Sequence, residues 1–274
     1  MEKLRVSLIQ MEVTQNRDQN LEKAIQLIKK AGENEPDLII LPENFHFMGK
    51  KEELFQQAET LDGPTLSSLR KLAKSMGVYI AAGTMKLKKP GEEKLRNTCC
   101  VINPLGEIQD TYQKIHAFHA NLGQRRYVGS EIEKGGDEVV VTSIKGVLVG
   151  LSVCFDMRFP ELYRSLTLQG ARIILVPSLF MLQTGKDHWE VLLRARAIEN
   201  QVYIVAPATC GPFPPNGDWS YGRSMVVDPW GTVIAQAQDF ETVITVDLDL
   251  PWIEEVRKRV PTLSHRRPEV YGLS

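Results

Sequence analysis

The sequence predicts an α/β protein, a four-layer αββα sandwich in which two mixed sheets pack face to face and helices cover the outside. Strand-like and amphipathic helical runs alternate along the whole chain. "LIILPEN" (38–44) is echoed by "IILVPSL" (173–179), each an apolar strand broken by proline. "VINPLGEI" (101–108) is echoed by "VVDPWGTVI" (226–234), two hairpins with an Asn/Asp-Pro-x-Gly turn. Two readings of the echoes stay open: common turn chemistry, or two related halves that each supply one sheet. No linker, low-complexity stretch or charge block divides the chain, so a single domain over residues 1–274 is expected.

"RVSLIQM" opens the chain as a buried strand. "NLEKAIQLIKKA" follows with apolar residues at helical spacing (21, 24, 25, 28) and Gly32 as a stop. "DLIILPEN" is a short strand ended by Pro42, "TLSSLRKLAKSM" a helix stopped by Gly77, and "VYIAAG" a strand. "TCCVINPLGEIQDTYQK" is a hairpin, because proline presets φ for the first turn position and Gly106 accepts positive φ. "EVVVTSIKGVLVGLSVC" is a second hairpin, turning at Lys145-Gly146. "FPELYRSLTLQGA" is a helix with an early Pro160 and a Gly170 stop, followed by strand "RIILVPS", helix "HWEVLLRARAIENQ" and strand "VYIVAPA". "CGPFPPNGDW" (210–219) is expected to be an exposed loop. Hairpin "SMVVDPWGTVIAQ", strand "ETVITVDLDL" and helix "PWIEEVRKRV" complete the order.

Composition narrows the function classes. A hydrophobic share of 43 % with mixed charges fits an ordinary globular protein of 274 residues. With 33 basic against 34 acidic residues there is no electrostatic footprint for nucleic acid or an anionic membrane. No apolar run approaches the ~20 residues a membrane span needs. "MEKLRVSLIQ" runs straight into a strand pattern, so no signal peptide is expected, and four cysteines do not make a disulfide framework. A reducing cytoplasm is the expected location.

Cys154 ends an apolar strand and opens a turn into a proline-started helix, the place where α/β folds put their chemistry. Buried cysteines are common, so position alone does not make it a nucleophile. Glu43 follows Pro42 at another strand end, where partial desolvation would raise its pKa for general-base work. Lys114 lies just beyond a hairpin strand, where its charge would lower a nearby thiol's pKa and stabilise a substrate oxyanion.

"LPENF", "YQKIHAF" and "SVCFDMRFPELYR", in that order, resemble the three signature segments of the nitrilase superfamily of carbon–nitrogen hydrolases. The resemblance runs from "RVSLIQM" to "HRRPEVYG". It implies the αββα fold and a catalytic set of Glu43, Lys114 and Cys154, with no cofactor and no metal. Phe155-Asp156 stands where true nitrilases usually have Trp-Glu, which favours amides over nitriles. "HWEVLLRARAIENQVYIVAPATCG", "YGRSMVVDPWGTV" and "HRRPEVYG" resemble deaminated-glutathione amidases and omega-amidases, which cleave the amide of a 2-oxo acid or a similar acid. The resemblance also implies a homodimer or higher homo-oligomer, with residues 261–274 a tail packing on the core or a partner subunit. One departure stands out. Members usually carry a second glutamate after the lysine, and in "YVGSEIEKGGD" Gly129 falls on that position; either Glu131 substitutes or the second carboxylate is absent.

The expected partner is therefore a small-molecule amide, cleaved through a thioester on Cys154. Phe155, Phe180, Met181 and Glu131 are expected around the substrate. Alternatives are N-carbamoyl or nitrile hydrolysis, or a non-catalytic binding or scaffold role. His116 and His119 form a weak H-x-x-H zinc signal, and either histidine as base would make a Cys–His hydrolase instead. Arg158 is expected to pair with Glu161, and Arg196 with Glu199, as helix framework.

Overall fold

Of the 274 residues, the structure, a computed structural model, describes 2–122, 125–214 and 217–271. The first half runs β1 (Lys3–Glu12), α1 (Arg17–Gly32), β2 (Leu38–Ile40), α2 (Lys51–Gln57), α3 (Pro64–Met76), β3 (Tyr79–Ala81), β4 (Met85–Leu87), β5 (Arg96–Ile102) and β6 (Ile108–Gln113). A small hairpin, β7 (His119–Leu122) and β8 (Arg125–Val128), follows. The second half runs β9 (Val141–Ile144), β10 (Val147–Leu151), α4 (Pro160–Leu168), β11 (Ile173–Leu175), α5 (Leu182–Asn200), β12 (Tyr203–Ala206), β13 (Thr209–Phe213), β14 (Asp218–Tyr221), β15 (Met225–Val227) and β16 (Val233–Gln236). Then come β17 (Thr242–Asp249), α6 (Leu250–Arg259) and a short α7 (Pro268–Tyr271).

Two mixed sheets form the centre, one of nine strands and one of six. In the first, β1, β2 and β3 are parallel, β17 pairs antiparallel with β1, and β5 and β6 continue antiparallel from β3. In the second, β10, β11 and β12 are parallel, β9 pairs antiparallel with β10, and β15 and β16 continue antiparallel from β12. The same six-strand topology thus occurs twice, and both echoes fall on corresponding strands, which favours the reading of two related halves.

Alternation along the strands builds the layers. Leu38 and Ile40 face the core shared by the two sheets, whereas Ile39 between them packs with α1 and α3 through Ile28 and Leu69. The adjacent Cys99 and Cys100 split the same way, Cys99 into the shared core and Cys100 toward the helices. All four cysteines are free and buried. Helix boundaries obey local chemistry: Asn16 caps α1 by accepting from Gln19 N (3.1 Å), Pro64 and Pro160 start α3 and α4, and Gly77 ends α3 at φ +65°.

Residues 210–219 are a correction to the loop expected there. They form most of the antiparallel β13–β14 hairpin, with Cys210 opposite Tyr221 and Pro212 opposite Trp219. β13 also extends the end of β1, with Met11 opposite Thr209. Pro212 is tolerated because β13 pairs with β1 only at Thr209 and Cys210, which leaves that side of β13 without a ladder partner at residue 212; residues 215 and 216 lie outside the described residues. α2, β4 and the β7–β8 hairpin are elements that the sequence patterns did not reveal.

Candidate active site

Glu43, Lys114 and Cys154 meet at one end of the shared core, each just past the end of a strand or its loop. Glu43 follows β2 by way of Pro42, and Lys114 directly follows β6. Gly83 makes room for the Glu43 segment: it separates β3 from β4, and a Cβ there would sit 2.0 Å from Pro42 O. Glu43 accepts from Lys114 Nζ (2.7 Å) and Asn97 Nδ2 (2.9 Å) on Oε1 and from Leu179 N (2.9 Å) on Oε2. Thr209 Oγ1 donates to the Glu43 carbonyl (2.9 Å). Strand ends from both halves therefore fix this carboxylate.

Cys154 opens a one-turn helix, Cys154–Arg158, at φ +47°, an uncommon conformation for a residue with a Cβ. Its N–H donates to Pro177 O (3.0 Å) and its thiol to Leu179 O (3.3 Å). Asp156 ties this turn to the Lys114 segment. It is fully buried; Oδ2 accepts from Val153 N (2.9 Å) and Tyr112 Oη (2.7 Å), and Oδ1 from His116 N (3.1 Å). His116 Nδ1 lies 2.7 Å from the same Oδ1, and its ring stacks on Phe159. His116 is thus committed to Asp156, and Glu43 and Lys114 are the charged neighbours that act on the thiol.

The electrostatics correct two expectations. Burial pushes Glu43 upward, but Lys114 and then Lys86 outweigh it, so its pKa lies below the ordinary carboxylate value, not above it. Burial opposes the Lys114 ammonium, yet the charges of Glu43 and Cys154 hold its pKa above the usual lysine value. Lys114 does pull the Cys154 pKa down, but burial and Glu43 dominate and raise it well above the ordinary thiol value. These directions favour a carboxylate, an ammonium and a protonated thiol in the three groups.

All three line a cavity of about 350 Å³ with Met181 and Glu131. Phe155 and Phe180 instead border a smaller adjoining recess that Cys154 and Met181 share. Arg158 does not pair with Glu161; its guanidinium lies over the Phe180 and Phe155 rings (5.1 and 5.8 Å) and reaches His188 (3.3 Å). Arg196 does pair with Glu199 (2.8 Å) and also donates to Met157 O. A larger cleft of about 690 Å³ between α4 and the tail holds none of the three residues.

Gly129 has no space for a side chain, since a Cβ would lie 2.7 Å from Phe118 O. Glu131 is exposed at the cavity wall. Glu133 also lines the cavity, bound to the buried Lys86 (2.5 Å). Asn97, Leu179, Lys86 and Glu133 are the site residues that sequence reasoning did not single out, and Asp156 was read only as a marker of amides; a lysine inside "TMKL" was the one visible signal.

Known proteins resemble the chain over nearly its whole length. The family described as carbon-nitrogen hydrolase matches residues 5–258. The chain is 36 % identical over 276 residues to omega-amidase NIT2 of Xenopus tropicalis, covering 100 % of this chain and 98 % of that protein. It is 37 % identical over 279 residues to deaminated glutathione amidase of Dictyostelium discoideum, covering 98 % and 96 %. The solved NitFhit protein of C. elegans superposes with a TM-score of 0.92 at 35 % identity, covering 100 % of this chain and 67 % of that one. A mutant of the amidase from Nesterenkonia sp. AN1, with a TM-score of 0.80 at 25 % identity over 98 % and 95 % of the two chains, shows covalent addition of the acetamide moiety of fluoroacetamide at its active-site cysteine.

Proposed function

Because the chain belongs to the carbon–nitrogen hydrolase family, we propose that it hydrolyses a small linear amide to an acid and ammonia through a thioester on Cys154. The observation that carries this reading is the buried contact of the Glu43 carboxylate with the Lys114 ammonium, beside the Cys154 thiol, in one small cavity. Glu43 takes the thiol proton as sulfur attacks the amide carbon. The tetrahedral oxyanion forms beside Lys114 and the N–H of Phe155; one such donor is typically worth ~3–4 kcal/mol. The carboxyl of Glu43 returns its proton to the departing ammonia. It then takes a proton from the water that attacks the thioester and passes it to the departing sulfur, which frees the acid and regenerates the thiol and the carboxylate.

The names of the relatives support the amide of a 2-oxo or dicarboxylic acid as substrate. Lys51 and Arg126 at the cavity supply cations for the acid's free carboxylate. Among the described residues no helix is long and apolar enough to cross a membrane, and the four free thiols suit a cytoplasmic setting. Self-association is part of the same reading. Val191 and Ile198 on α5, with Val270 and Tyr271 in the tail, are exposed apolar side chains that a second copy would cover. Residues 272–274 of that tail lie outside the described residues.

Ammonia release from a panel of amides, nitriles and N-carbamoyl compounds tests the chemistry. Glu43→Gln should lower kcat about 10³-fold or more with the fold retained, and Cys154→Ala should show no turnover. Wild-type-like kcat in Glu43→Gln overturns the base assignment. No release from any compound favours a scaffold role, and release from nitriles or carbamoyl compounds alone favours those alternatives.

A further inference from the structure

The buried Lys86 and the half-buried Glu133 form a second ion pair in the same cavity. Lys86 lies in β4 directly opposite Asn97 of β5, so the two side chains share a face of the sheet. Asn97 uses that face to donate to Glu43 Oε1, which places Lys86 beside the carboxylate. The Lys86 side chain is 4 % exposed and contacts Glu133 at 2.5 Å. Glu133 itself is pinned by backbone bonds on both sides: Leu95 N donates to Ile132 O (2.9 Å) and Lys134 N to Leu95 O (2.9 Å). Two residues further on, Gly136 N donates to Lys114 O (2.9 Å). The segment carrying Glu133 therefore runs between the strand that holds Asn97 and the residue that supplies the ammonium.

We propose that Lys86, anchored by Glu133, is a positioning residue for Glu43, and that Glu133 takes the place of the carboxylate that Gly129 cannot provide. Glu43 and Glu133 alternate with Lys114 and Lys86, so the charges of these four side chains sum to zero. A buried ion pair is expensive to place in a core unless it serves a further purpose, and this one faces the catalytic cavity. Besides each other, the charged or titratable groups that these residues meet are the Cys154 thiol at Glu43 and Lys114, Asp156 at Lys114, and His46 at Lys86. Lys51, Arg126 and Glu131 complete the charges of the cavity wall. Lys86 is among the groups that lower the Glu43 pKa, whereas Glu133 acts on Lys114.

The inference rests on Glu43 being the base, and the experiment separates the two. The pH profile of kcat/KM reads the free enzyme's base. In Lys86→Met the acid limb should move up by about one pH unit or more, with KM near the wild-type value, and Lys86→Arg should restore the limb. In Glu133→Gln the limb should stay or move down, because Lys86 then loses its counter-charge. The double variant Lys86→Met/Glu133→Gln leaves no unpaired buried charge and keeps the test readable should a single variant not fold; its acid limb should also rise. An unmoved limb with only a lower Tm makes the pair structural and overturns the proposal. So does a KM raised tenfold with kcat and limb unchanged, which would place Lys86 on the substrate. If Glu43→Gln retains activity, the base reading fails and this inference falls with it; if Glu43→Gln is inactive while the Lys86 limb stays put, only the inference fails.

Discussion

Asp156 and His46 are single buried side chains with consequences at a distance, the first for the site and the second for stability against acid. Asp156 holds Val153, Tyr112 and His116 at once, so the nucleophile's turn and the lysine's segment share one anchor. Asp156→Ala should cost about 3 kcal/mol of stability, as expected for buried donors left unpaired. It should also lower kcat at least about tenfold, since misplacing reacting groups by an ångström is costly; urea unfolding and ammonia release measure the two effects. His46 is neutral by construction. Burial, then the cations Lys86 and Arg17, lower its pKa from 6.5 to about 3. The unfolded chain binds that proton at higher pH than the folded one, so the stability it contributes is present above 6.5 and is lost as pH falls toward 3. His46→Gln should therefore flatten the fall in urea midpoint across that window. An unchanged slope would place the acid sensitivity elsewhere.

The elements that carry catalysis depend on irregularities as much as on strands. The break between β3 and β4 at Gly83 lets the Pro42–Glu43 segment pass within contact distance. Gly83→Ala should cost about 2–3 kcal/mol through crowding and should reduce kcat more than it raises KM, which thermal unfolding and steady-state kinetics would report. Long periodic helices and the two Asn/Asp-Pro-x-Gly hairpins were legible in the sequence because their signals are local. The Cys154, Lys114 and Glu43 positions were legible as odd residues at strand ends. β4 was not, being three residues long with a charged residue at its centre, facing inward. β13 and β14 were hidden by proline and glycine that the edge hairpin accommodates. Asn97, Lys86 and Glu133 were invisible as site residues because only cross-strand register and ion pairing bring them to Glu43. The directions of the Glu43 and Cys154 shifts were equally out of reach, because they result from opposing burial and charge that only the packed geometry weighs.

At the scale of the whole molecule, the two six-strand units share one apolar core. Leu4, Val6, Leu38 and Ile40 of the first sheet cluster with Val149, Leu151, Ile173 and Leu175 of the second. β17 then returns from the end of the second half to pair with β1 along eight residues. A fragment ending at residue 137 would lose both the facing sheet and β17, exposing side chains worth about 1.5–3 kcal/mol each when buried. It should lack a cooperative thermal transition by circular dichroism, whereas the full chain should unfold in a single one. The candidate site is divided along the same boundary: Glu43 and Lys114 come from the first half, Cys154 and the Leu179 backbone that holds Glu43 and the thiol from the second. On the proposed roles, the ribosome delivers the base and the cation well before the nucleophile, and a half-made chain, whose thiols are Cys99 and Cys100, still lacks Cys154. Turnover begins only when the second sheet has closed on the first, which makes the appearance of ammonia a clock for the completion of folding.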